Sequence, residues 1–290
     1  MKEKIIFEVI PPPFDWNEEK ILNFSEKIKR IMKENRIKFL NIPEVIDEKT
    51  REKERSVPYK EKIDNLEFSE YLKNNFNFEP IINKICVRIS KKEFEEWVKK
   101  VYKKGIRYIV LVGGESSKIK YPGYSVIEAA KFIKKNFPDI KLGGITIFTR
   151  NKEPYRILEK MKAGIDFFVS QIIFETSNMK QVLIHLWRLT KLENIKFPDI
   201  YISFAPAQKI RDIEFMKWLG VEFPTAINFY ITEKERKVES RTFEVIERML
   251  DEIFDFANKE RLNLGFNVEH VMYSNLELSE NIIKKIKERI

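Results

Sequence analysis

At 290 residues, 43% of them hydrophobic, the chain is long enough to bury one large α/β core or two smaller ones. Its 54 Lys and Arg against 45 Asp and Glu leave a net charge of +9, which favours anionic partners. The two signs are interspersed along almost every amphipathic stretch, however, so the pattern argues for a solvated surface and against nucleic-acid binding. The single cysteine excludes an internal disulfide and a cysteine-built zinc site. With no leader-like start and no apolar span of membrane length, a soluble cytoplasmic protein is expected.

The first expected strand, 5–10, reads Ile5-Ile6-Phe7-Glu8-Val9-Ile10 and is stopped by Pro11-Pro12-Pro13, which cannot continue a ladder. Glu8 is therefore an acid inside an apolar strand. Over 18–35 the residues Ile21, Phe24, Ile28, Ile31 and Met32 recur at helical spacing, and 39–45, which carries Asn41, reads as the second strand. The charge-dense stretch 47–55 has no apolar face and reads as an inert surface loop, with a lid over a barrel rim as the alternative.

From there the pattern alternates: helix 68–76, strand 81–89, helix 92–104, strand 108–112, helix 126–137, strand 142–148 and helix 154–163. It continues through strand 167–174, helix 179–192, strand 200–204, helix 213–219, helix 242–259, strand 264–271 and helix 280–290. The stretch Tyr108-Ile109-Val110-Leu111-Val112 is apolar throughout, as in strands buried on both faces, and leads into the turn Gly113-Gly114-Glu115. About eight strands each followed by a helix, with no linker between them, predict a single α/β domain over 1–290, a (β/α)8 TIM barrel. An open doubly wound sheet uses the same units, but Gly113-Gly114-Glu115 is not a dinucleotide-binding fingerprint and no P-loop occurs.

In a barrel the C-terminal strand tips converge on one face, so polar residues there become neighbours. Glu8, Asn41, Glu115 and Gln171 stand on or just after apolar strands. An unpaired carboxylate in an apolar interior costs several kcal/mol unless its pKa rises or it finds partners. A glutamate with a raised pKa holds a proton near neutrality and suits general-acid work; the alternative for Glu8 is an ion pair inside the barrel. Gln171, with donors and an acceptor on one amide, suits a flat heterocycle or, equally, the backbone groups of the rim. Cys86, in an apolar run, reads as core, while His185 and His270 make no ligand spacing and no metal site is expected.

Three segments carry a resemblance. Phe7-Glu8-Val9-Ile10-Pro11-Pro12 resembles the F-E-F-F-P-P opening of the methylenetetrahydrofolate reductase family. Gly105-Ile106-Arg107-Tyr108-Ile109-Val110-Leu111 resembles the strand leading to its R-G-D turn, and 162–175, with Phe167-Phe168-Val169-Ser170-Gln171, is similar to its D-A-G-A-x-x-x-I-T-Q-x-F-F-D segment. The resemblance implies a barrel that reduces the methylene group of a reduced pterin, on tetrahydrofolate or a related carrier, to a methyl group. It implies Glu8 as the acid that opens the methylene bridge, and Glu115 and Gln171 as pterin contacts; Asn41, singled out by its place on the second strand, is expected to bind substrate with them. It also marks departures: Gly113 replaces the arginine of R-G-D, a residue near Asn83 replaces the histidine of H-L-T-C, and Ile147-Phe148-Thr149-Arg150 replaces a tyrosine-proline turn. Each removes a contact the family makes to FAD, leaving Gly113, Gly114, Asn83 and Arg150 as the cofactor positions, Arg150 as a substitute phosphate contact, and FAD itself in doubt. Hydride then comes from NAD(P)H through FAD, from NAD(P)H directly, or from an electron-donating partner subunit. A homo-oligomer and a catalytically silent pterin- or flavin-binding subunit complete the expectations.

Overall fold

A computed structural model of the protein describes residues 3–47, 55–114 and 119–290. Glu115 and most of the charge-dense 47–55 loop lie outside the described residues. The chain runs β1 (Ile5–Glu8), α1 (Glu18–Glu34), β2 (Phe39–Ile42), α2 (Asn65–Asn75), β3 (Glu79–Ile85), α3 (Lys91–Lys103), β4 (Tyr108–Val112), α4 (Val126–Asn136) and β5 (Lys141–Thr146). It continues with α5 (Glu153–Lys162), β6 (Phe167–Ile172), α6 (Ser177–Leu192), β7 (Asp199–Phe204), α7 (Ile210–Trp218), α8 (Thr225–Thr232), α9 (Val238–Glu260), β8 (Leu264–Glu269) and α10 (Leu276–Lys287). The eight strands are parallel and close in sequence order, β8 pairing with β1, so the expected (β/α)8 barrel is the observed one.

Local chemistry sets the helix ends. Ser90 and Ser125 each accept from the backbone N–H three residues on while Glu93 and Glu128 reach back, two reciprocal capping boxes that start α3 and α4. The Ser125 amide and hydroxyl hold Glu128 well below the usual carboxylate range, at about 2. After α5, Gly164 turns the chain at φ 106°, a conformation that a side chain would strain. The short helix α8 has no counterpart among the expected elements: its sequence, Thr225 to Thr232, lacks the polar–apolar period that marks a helix.

The strands owe their nearly continuous apolar character to burial on both faces. Outward residues pack under the helices, while Ile6, Phe39, Ile81, Val110, Phe167, Val169 and Tyr201 fill the barrel interior. Tyr201 fits because Gly265 on the adjacent strand has no side chain; a Cβ there would lie 2.5 Å from the tyrosine ring. Gly265→Ala is accordingly expected to destabilise the fold by about 1–3 kcal/mol through overpacking. A melting temperature equal to that of the unsubstituted protein would contradict this packing.

Above that apolar floor the inward stripes change character at the C-terminal ends of the strands. Two residues beyond Ile6, Phe39, Ile81, Val169, Tyr201 and Gly265 stand Glu8, Asn41, Asn83, Gln171, Ser203 and Asn267, and Glu269 follows Asn267 by two more. The period of two that builds the core thus delivers a polar layer to one mouth of the barrel.

Candidate active site

The layer is organised around Glu8. Its carboxylate Oε2 accepts from Asn41 Nδ2 at 2.5 Å on β2 and from Asn267 Nδ2 at 3.1 Å on β8. No lysine or arginine pairs with it among the described residues. Burial pushes its carboxyl up to about 7, the amide hydrogen bonds opposing the rise only in part. A group poised there is half protonated at neutral pH, as general-acid work requires.

A second carboxylate stands in register beside it. Glu269 on β8 pairs laterally with Glu8 on β1, and its Oε1 accepts from the same Asn267 Nδ2 at 3.2 Å. Burial, then the charge of Glu8, raises the Glu269 carboxyl well above its ordinary value. The amide oxygens of Asn41, Asn83 and Asn267 are buried without hydrogen-bond partners. Unsatisfied acceptors in such numbers at one end of a barrel point to donors that arrive with a ligand or a proton.

Glu8 and Glu269 line the floor of a cavity of about 350 Å³, a size in the range of small-molecule sites. Its walls include the apolar Ile10, Val57, Phe215 and Trp218, and its rim carries Arg55 and Lys62. Lys62 sits 5.1 Å over the Tyr273 ring, and burial, with Arg55 nearby, lowers its ammonium to about 8. His270 also lines the cavity but is a neutral strut: Ile10 N–H donates to Nε2 at 3.1 Å, and Nδ1, 3.0 Å from the Met272 carbonyl, carries the proton. Burial lowers it to about 4.

Gln171 borders this cavity and a second one of about 240 Å³, lined by Ile147, Thr149, Phe174, Asn178 and Phe223 among others. Its amide is engaged locally, donating to Leu219 O at 3.2 Å and accepting from Ile172 N–H at 3.1 Å. Phe174 and Phe223 stack at 4.1 Å on the far wall.

The positions expected to serve a flavin are not gathered around these two cavities. Arg150 is exposed, its Nη1 4.0 Å from Glu153. Asn83 is buried in the barrel interior, with Asn65 Nδ2 donating to its carbonyl at 2.8 Å. The side-chain space at Gly114 is taken by Tyr121, whose ring lies 2.3 Å from where a Cβ would stand, and Gly113 meets only Val126. Cys86 is fully buried with its thiol pushed up to about 12, an inert core residue, and His185 lies exposed against Tyr155. No group of metal-ligating side chains forms among the described residues.

Glu269, Asn267, Ser203 and Lys62 were missed by reasoning from sequence. Asn267 and Glu269, two apart in an apolar strand, carry the same signal that singled out Glu8; Lys62, in an irregular segment, carries none.

A closed parallel barrel with polar residues and a ligand-sized cavity at its C-terminal strand tips belongs to the class of (β/α)8 barrels, which carry their sites at that end. The chain is a member of the family described as mycobacterial methylenetetrahydrofolate reductase, whose model matches residues 2–271. A search of curated proteins found no match. Among solved structures, the fold matches an uncharacterized protein from Clostridium thermocellum that binds two copies of 5-methyl-5,6,7,8-tetrahydrofolic acid. That match has a TM-score of 0.82 at 24% identity over 99% of this chain and 96% of that one.

Proposed function

We propose that the protein reduces the methylene bridge of a methylene-bearing reduced pterin, 5,10-methylenetetrahydrofolate or a related carrier, to a methyl group, with NAD(P)H delivering hydride directly. The observation that carries this reading is Glu8, an acid poised at about 7 on the floor of a ligand-sized cavity, with no cation among the described residues hydrogen-bonded to it. Glu8 protonates the bridge nitrogen: its O–H bond breaks, an N–H bond forms, and the bridge C–N bond opens to an iminium carbon that accepts the hydride. The dihydronicotinamide supplies that hydride. The two cavities adjoin through Gln171 and Ile172, which leaves room for two flat rings side by side. The structural neighbour's two folate ligands, together with the family, support the choice of a pterin.

A flavin-free reaction is favoured because the residues present do not fit FAD: Gly113 carries no side chain, Tyr121 covers Gly114, and Arg150 turns to Glu153. The test is an NADH or NADPH oxidation assay with the methylene-pterin, using protein whose visible spectrum has been recorded with and without added FAD. Turnover by colourless protein is expected. Turnover only after FAD is retained would overturn direct transfer, and pterin binding without turnover would leave a silent binding subunit.

The rim cations suit an anionic tail on the carrier. Lys62→Met is expected to raise KM by about tenfold for a carboxylate-tailed pterin, with kcat little changed, because one partly buried charge contact is lost. An unchanged KM at low salt would remove Lys62 from the binding surface.

A further inference from the structure

We propose that Glu8 and Glu269 form a proton-sharing pair in which Glu269 is the positioning residue that keeps Glu8 loaded with its proton. The inference deepens the reading above and rests on it for the identity of the proton's acceptor.

Three observations carry it. First, β1 and β8 bring the two glutamates into lateral register, and both accept from one nitrogen, Asn267 Nδ2, at 3.1 and 3.2 Å. Two carboxylates that share a donor atom in a protein interior cannot both ionise without strong repulsion. Second, that nitrogen also approaches Ser203 Oγ at 3.0 Å. Its two hydrogens are spread over three acceptors, and the Ser203 hydroxyl, hydrogen-bonded to Glu269, is a further donor that also carries no charge. Third, the amide oxygens of Asn41 and Asn267 are unpartnered in residues 1% and 0% exposed. Each is an acceptor beside the carboxyls, fit for a carboxylic O–H or a ligand N–H.

Among the described residues the surrounding charges leave the pair uncompensated. His270, next in the chain, is neutral, its Nδ1–H turned to Met272. Glu44, beyond β2, is taken by Lys84 Nζ and by Ile85 N–H at 2.6 Å. Arg55 stacks against Trp218 and Phe215 on the rim, and Lys62 lies over Tyr273. Tyr273 donates to Pro11 O at 2.6 Å, while Asn41, Gln171 and Ser203, from β2, β6 and β7, are uncharged. Among the described residues no cation is hydrogen-bonded to either glutamate. When the pair gives up its last proton, two carboxylates face each other, and the pair recovers a proton from solvent through the cavity mouth.

The test has two arms. In the first, kcat/KM is followed against pH. Glu269→Gln is expected to move the alkaline fall in activity toward acid by at least about one pH unit, because the repulsion that held the last proton is gone. Glu269→Asp, which returns a carboxyl to the pair, restores the original limb. A folded Glu269→Gln variant with an unmoved limb overturns the pair. The second arm needs no substrate: the infrared C=O stretch of a protonated carboxylic acid is expected to persist to about pH 8 and to be lost by that pH in Glu8→Gln or Glu269→Gln. Its absence at that pH from the unsubstituted protein overturns the pair even if turnover is as proposed. Its presence in a protein that does not reduce pterins upholds the pair and refutes the reaction.

Discussion

Replacing Glu8 by glutamine is expected to lower kcat by about 10²–10⁴-fold, the usual contribution of a positioned acid. Glutamine is nearly isosteric, and its amide oxygen still accepts from Asn41 Nδ2 and Asn267 Nδ2, so the strand tip and the cavity keep their shape. What it lacks is a transferable proton. The loss therefore falls on the step in which the methylene bridge opens, and binding of a reduced pterin is expected to stay within about threefold. Titration of tryptophan fluorescence with a methyl-pterin measures the binding, since Trp218 lines the cavity. A variant that turns over within about tenfold of the original enzyme would place the proton donor elsewhere. Loss of binding together with turnover would make Glu8 an anchor for the ligand and not its acid.

Much of this site was legible in the sequence because barrel architecture translates position into neighbourhood. A polar residue in an apolar strand is costly unless it faces the mouth, so Glu8 and Asn41 could be picked out and do meet, at 2.5 Å. The alternation itself was also legible: the apolar runs mark most elements to within a few residues of where they lie. Three features were not. The pairing of Glu8 with Glu269 depends on closure of the barrel, which joins residues 261 positions apart in the chain through a register that no local pattern encodes. The engagement of Gln171 by Leu219 depends on where the segment after α7 is laid. The setting of Arg150 depends on the turn at Lys152, held at φ 58°, which starts α5 and puts Glu153 within reach of the guanidinium.

The same carboxyls make the fold's stability depend on pH in a direction opposite to that of an ordinary salt-bridged acid. A folded-state value of about 7 against 4.5 for the free group means that the native state binds the Glu8 proton more tightly than the unfolded chain does. Below about pH 4.5 both states are protonated and nothing is lost. As pH rises from 4.5 to about 7 the unfolded chain releases its proton first, and stability falls. Above that window the cost levels off at on the order of 3 kcal/mol for Glu8, and Glu269, raised in the same direction, adds to it at higher pH. Glu8→Gln removes an ionising group from the apolar mouth, and its new N–H donors suit the unpartnered oxygens of Asn41 and Asn267. The inactive variant is therefore expected to melt higher than the original enzyme at about pH 8 and to match it near pH 4. Calorimetry at the two pH values decides the point. A gain of equal size at both would trace to packing, and no gain at the higher pH would mean that Glu8 is stabilised in its charged form. The excess cost at neutral pH is what a site pays to keep an acid ready: the desolvation that weakens the fold is the same desolvation that holds the proton for the ligand.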